Sequence, residues 1–195
     1  MLILCSYVYA EDYEVALIPI DSGAILAFSG DSTSFTIELP GDSILPLEGK
    51  YFILVDDWVF QAFILPFDNP TNANLKLESE AKKALSQYVT YEIDYMKKEL
   101  NQPLDSLSLN WGKIGNNYFY WWYFNVPASN ESIKKQLYLS TICFNHFLNM
   151  NLPLQSHQNF DDAKKFIFNV ARSLKQQNHP IDFDTFSENI KENGY

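Results

Sequence analysis

The chain has 195 residues, 47% of them apolar and 19% charged, so it is long enough to bury a core without disulfides or a metal and too apolar to be disordered. Fourteen basic residues face 24 acidic ones, a formal charge of −10 that weighs against a nucleic-acid backbone as partner. No stretch approaches the roughly 18 apolar residues of a membrane-crossing helix, so no transmembrane segment is expected.

The first ten residues, MLILCSYVYA, carry no charge, and EDYE follows at once. Val8-Tyr9-Ala10 has the small-x-small spacing of a signal-peptidase site. Residues 1–10 therefore read as a truncated export signal cleaved after Ala10, which puts the protein in the periplasm or outside the cell. The alternative is an ordinary first strand in a cytoplasmic protein. Cys5 and Cys143 are the only cysteines, and Cys143 suits a small buried hydrophobe better than a nucleophile.

Residues 12–66 read as strands separated by Gly, Asp, Ser and Pro turns. In SFTIELP, Phe35, Ile37 and Leu39 alternate with Thr36 and Glu38. A loop at 67–74 precedes a helix over about 75–100, with Leu85, Val89 and Ile93 on its apolar stripe. Three strands come next. SLSLNW (106–111) places Leu107, Leu109 and Trp111 on one face and Ser106, Ser108 and Asn110 on the other. A turn at 115–117 leads into the aromatic run YFYWWYF (118–124), and QLYLSTICFNHFLNM (136–150) is the third strand. The second helix is marked by Ala163, Phe166, Ile167, Val170, Ala171 and Leu174, with Asn159 as N-cap. Thr185 and Glu188 have capping-box spacing, which suits a short helix in the tail. The expected division is thus a signal at 1–10, one α/β domain over 11–180 and a tail over 181–195.

Strands, long helix, three strands, long helix is the order of an α+β fold: an antiparallel sheet with two long helices. With SFTIELP near the start of the sheet and FIFNVARSLK in the last helix, the chain resembles the PsbP-like α/β/α sandwich family. That group includes photosystem II extrinsic subunits, a Ran-binding nuclear import factor and small bacterial exported proteins. The resemblance implies the sandwich over most of residues 31–177. It implies no catalytic residue, because the fold has no common active site. Members often carry a Trp soon after the Pro that ends the first such strand, whereas here no Trp follows Pro40 until Trp58.

No nucleophile elbow, zinc motif, phosphate loop or dinucleotide fingerprint occurs, so no catalytic, cofactor or metal residue is assigned. His146, His157 and His179 lack ligand spacing. Asp56-Asp57 suits a turn better than a catalytic dyad, whose members must share a site. The negative charge is uneven: residues 1–74 hold eleven acids and one base, Lys50, and residues 75–195 hold thirteen of each. Asp31 and Asp42 lie in that acidic third beside turn residues, where they read as solvated turn acids or, as the alternative, as a rim that attracts a basic partner.

Alternation sends Tyr118, Tyr120, Trp122 and Phe124 to one face of the aromatic strand, and Phe119, Trp121 and Tyr123 to the other. The first face is expected to pack beneath Leu85, Val89, Phe166 and Val170. A strand apolar on both sides reads first as central core; if one side is only partly covered, the second face is the candidate partner surface, because Trp and Tyr offer large contact area with few rotors. The favoured function is a non-enzymatic exported protein that binds another protein or stabilises an assembly. The rivals are a small-molecule or lipid carrier using an aromatic face, and a hydrolase built around Asp56, Asp57 or His146.

Overall fold

The computed structural model describes residues 13–47, 52–66, 78–100, 104–127 and 132–193. In chain order the elements are β1 (Tyr13–Ile20), β2 (Gly23–Gly30), β3 (Ser34–Pro40), β4 (Ile44–Pro46), β5 (Phe52–Val55), β6 (Trp58–Pro66), α1 (Glu78–Leu100), β7 (Asp105–Ile114), β8 (Asn117–Asn125), β9 (Ile133–Cys143), β10 (His146–Gln155), α2 (Phe160–Arg172), β11 (Lys175–Gln177) and α3 (Phe183–Asn193). Strands make up more than half of the described residues.

The strands form two antiparallel sheets, one of order β1-β2-β3-β11 and one of order β4-β5-β6-β10-β9-β8-β7. This corrects the expected α/β/α sandwich, in which one sheet lies between two long helices. The helices have 23, 13 and 11 residues, so only α1 is long. The error has a physical source. Alternation reports which face a residue takes, but not which strand lies beside it. Residues 136–150 show the same limit. They read as one strand, yet the chain reverses at Phe144-Asn145 between β9 and β10, with Phe144 at φ +55°.

By internal contacts the chain divides into two compact units, Met1–Val59 with Asn169–Tyr195, and Phe60–Phe168. In the first unit β1, β2 and β3 form a meander. Ala16, Ile18, Ile25 and Ala27 form an apolar patch against Ile181, Phe183 and Ile190 at α3. Phe28 and Phe35, cross-strand partners, stack at 4.6 Å with no exposure. Asp182 caps α3: its carboxylate accepts from the Thr185 N–H at 2.8 Å, and its carbonyl from the Phe186 N–H at 2.9 Å. The cap therefore lies three residues before Thr185. Ser29 Oγ both accepts from the Ile181 N–H and donates to the Ile181 carbonyl, each at 2.9 Å, which ties the entry to α3 onto β2.

The second unit is organised around the run β10-β9-β8-β7. A Gly115-Asn116 turn, with Gly115 at φ +60°, joins β7 to β8. α1 packs its Leu85, Tyr88, Val89 and Ile93 stripe on one face of these strands. Asn159 opens α2, its carboxamide oxygen accepting from the Asp161 and Asp162 N–H groups at 2.8 and 3.3 Å.

Candidate functional site around the aromatic strand

The two faces of β8 meet different surroundings. Register with β9 sets Trp122 opposite Tyr138, and their rings stack at 4.1 Å with an interplanar angle of 9°. Trp122 is fully buried with Phe124, Leu85 and Val89. Phe166 and Val170, expected on this same face, are not part of that cluster; Phe166 instead meets Phe60 edge-on at 6.1 Å.

The opposite face meets the start of α2. Trp121 lies edge-on to Phe168 at 5.2 Å with Lys164 5.9 Å above its ring, and Tyr123 lies against Phe160 at 4.6 Å with Lys135 5.1 Å above. Both rings stay partly exposed. Phe119, the third residue proposed for the partner surface, has no exposure and is core. The reason Trp121 reaches solvent is next door. Its cross-strand neighbour on β7 is Asn110, and Gly112 offers no side chain: a Cβ there would come within 3.1 Å of Trp121 Cη2. The indole therefore lies across bare backbone toward the edge of the sheet.

On the Trp122 face, the β7 end of the sheet is also aromatic and only partly covered. Trp111 stacks on Tyr118 at 5.6 Å, donates from Nε1 to Glu78 at 3.3 Å, and lies 5.9 Å under Lys82. Leu109, one step along β7, is 47% exposed. Lysines over ring faces are held by the ring quadrupole, and they keep these aromatics solvated without hiding them.

Beneath α1 the layer is polar as well as aromatic. Tyr138 has Trp122 and Asn151 as its cross-strand neighbours, and Gln136 precedes it on the same face. Trp122 Nε1, Gln136 Oε1, Asn151 Oδ1 and the Tyr88 hydroxyl are buried and have no hydrogen-bond partner. Burial pushes the Tyr88 and Tyr138 phenols well above their ordinary range, and the nearby Glu92 carboxylate adds to the push. Partial burial raises Glu92 in turn. Buried polar atoms usually have partners, so four without one in this layer set it apart from the rest of the core.

No protein-family model matches the chain, and no curated protein sequence matches it. The site must therefore be read from its own chemistry. Among the described residues no group of three or more His, Cys, Asp or Glu could hold a metal ion. Asp56 has a structural role: at φ +50°, it accepts from the Asp42 and Ser43 N–H groups at 3.0 and 2.9 Å. His146 is buried at 1% exposure, and the exposed His179 bonds the Pro180 carbonyl at 3.0 Å. Cys143 is fully buried, which pushes its thiol up and away from nucleophilic use. Asp31 and Asp42 are exposed, in the first unit, while Trp121 and Tyr123 belong to the second. The possible signal at 1–10 lies outside the described residues. No described helix is long and apolar enough to cross a membrane. Sequence reading missed the polar ring around Tyr138, because its members are scattered over 88–151 and converge only through strand register.

Proposed function

We propose that this protein is a non-enzymatic, exported binding protein whose macromolecular partner docks on the Trp121–Tyr123 side of β8. The observation that supports this is the setting of Trp121. A large ring with a polar edge is held at one side by Phe168 and lies over the bare backbone of Gly112, yet keeps part of its surface in water. A pre-positioned Trp loses little freedom when a partner covers it, and Trp is enriched among the residues that dominate binding energy. Asp31 and Asp42 are proposed to steer a basic partner from a distance.

The test is capture from native extract with the mature chain as bait. Trp121→Ala should lose the partner while keeping its unfolding midpoint close to that of the parent chain. Asp31→Asn with Asp42→Asn should slow association and flatten its salt dependence, because exposed charges are screened beyond about 8 Å at physiological ionic strength. Capture that is indifferent to Trp121→Ala overturns the reading. N-terminal sequencing of the native protein should begin at Glu11; retention of Met1 or Leu2 removes the export part.

A second reading, a small-molecule carrier, is supported by the ring around Tyr138. Its orphans include a donor, Trp122 Nε1–H, and acceptors on Gln136 and Asn151. A hydroxyl both donates and accepts, so a small polyol suits this set better than a lipid tail. Titration with glycerol and with inositol, followed by indole fluorescence, should show saturation that Gln136→Leu abolishes. Equal, non-saturating responses of both proteins would leave ordered water as the occupant.

A further inference from the structure

We propose that β7 is a homodimerisation edge, pairing antiparallel with β7 of a second copy about a two-fold axis at Leu109. This goes beyond the docking role of Trp121, uses other residues, and is read by a different measurement.

Four strands end a sheet. β4 and β11 have three residues each, and the side chains that β1 exposes are Glu14 and Pro19. β7 has ten residues and among the described residues pairs on one side only, with β8. A long edge with unpaired N–H and C=O groups is a template for another strand unless it is guarded. β7 is guarded at its ends. The register shifts between Asp105 and Ser108, where Ser106 sits at φ +53°, and Lys113 stands near the turn. Between these guards lies Ser108–Gly112, where Leu109 is among the most exposed large apolar side chains described.

The phase of the hydrogen bonds decides the register. A two-residue turn makes Ile114 and Asn117 the closing bonded pair, so Gly112, Asn110 and Ser108 bond inward to β8. Leu109, Trp111 and Lys113 then point their backbone groups outward, while Leu107 lies within the register shift. Two copies pair when Leu109 faces Leu109 and exchanges both N–H···O bonds with it, which sets Leu107 opposite Trp111. The same register sets apolar side chains against apolar ones on the α1 face and Ser108 against Asn110 on the other.

Local charge permits a second copy. The chain carries −10 overall, but the unit that carries β7 contains ten acidic and ten basic residues, so the surplus lies in the other unit. Asp105 precedes the window and Lys113 follows it. Antiparallel pairing brings the acidic end of one strand alongside the basic end of the other, whereas parallel pairing would set Lys113 beside Lys113. An isologous contact of this kind closes on itself and gives a dimer rather than a fibre.

Sedimentation equilibrium on the full chain should show a dimer. Leu109→Pro should convert it to a monomer with an unchanged circular dichroism spectrum, since proline is tolerated where a strand N–H faces outward. Leu109→Lys is the companion variant should proline disturb the fold. Register is read by oxidation in a Cys5→Ser background. Facing bonded residues have Cα atoms about 5.5 Å apart, inside the roughly 4.4–6.8 Å span of a disulfide. Leu109→Cys should therefore cross-link two chains, and Trp111→Cys should not. A parent chain that is monomeric throughout, a dimer that survives both Leu109→Pro and Leu109→Lys, or cross-linking through Trp111→Cys in place of Leu109→Cys would overturn the proposal.

Discussion

The two compact units divide the chain's chemistry between them. The first holds fourteen acidic and four basic residues, the whole net charge of the protein, while the second is balanced. The second holds three of the four tryptophans, Trp111, Trp121 and Trp122, all on adjacent strands. Two glycines show how differently the units are built. A Cβ on Gly23, at φ +145°, would lie 2.1 Å from the Leu39 carbonyl oxygen, a backbone atom fixed by the β2–β3 ladder. A Cβ on Gly112 would meet only the far end of the Trp121 ring at 3.1 Å. At Gly23 the obstacle is backbone, whereas at Gly112 it is the far end of one aromatic side chain. Net charge thus belongs to one unit and most of the tryptophan to the other.

That contrast can be broken by substitution. Gly23→Ala should be the most damaging, costing more than about 3 kcal/mol through backbone displacement and a strained φ; chemical denaturation reads it. Asp56→Ala should cost about 1.5–3 kcal/mol, the usual net worth of a hydrogen bond to a charged group such as the carboxylate that accepts from Asp42 and Ser43. Gly112→Ala should cost less than about 1 kcal/mol but shift the Trp121 emission, because the ring must move by a few tenths of an ångström. If Gly112→Ala proves as damaging as Gly23→Ala, the second unit is no more adaptable than the first. The smallest change should come from Lys175→Ala, which removes an exposed 3.6 Å ion pair to Glu38. Its effect should fall within about 0–1 kcal/mol and vanish in salt.

A pH experiment sharpens the same comparison inside the first unit. The Thr185 backbone N–H, followed by its side chain, holds the Asp182 carboxyl below its ordinary value. The folded-state value is the lower one, so the cap contributes fully above the unfolded aspartate range and is lost as pH falls through the folded value. Amide shifts of α3 followed by NMR should titrate there in the parent chain and stay flat in Asp182→Asn. A parent chain whose α3 amides do not titrate would remove Asp182 as the cap.

Part of this was legible in the sequence. Strict alternation placed Trp122 and Trp121 on opposite faces, and the breaks at Gly, Asp and Ser marked the turns between β1, β2 and β3. The Asn159 cap followed from a side-chain oxygen just before an apolar stripe. What stayed hidden is non-local. Nothing in residues 136–150 announces the reversal at Phe144, a bulky residue at a φ that usually favours Gly or Asn. Missing that reversal merges β9 and β10, two strands of one sheet, into a single strand; the split into two sheets was hidden separately, because alternation does not say which strands pair. Phe119 was misplaced for the same reason: parity assigned its face, while its burial depends on what packs there. The ring around Tyr138 needs four elements in register before any member looks unusual.

β8 buries Trp122 on one face and leaves Trp121 and Tyr123 partly exposed on the other. Denaturant unfolding of Trp122→Ala beside Trp121→Ala tests this difference most directly. Trp122, stacked on Tyr138 with no exposure, should cost about 3–5 kcal/mol. Trp121, partly in water, should cost less than about 2 kcal/mol, in proportion to the smaller apolar area it buries. Equal losses of 3 kcal/mol or more, on the same roughly 3–5 kcal/mol scale, would mean that β8 is core on both sides and would contradict the account.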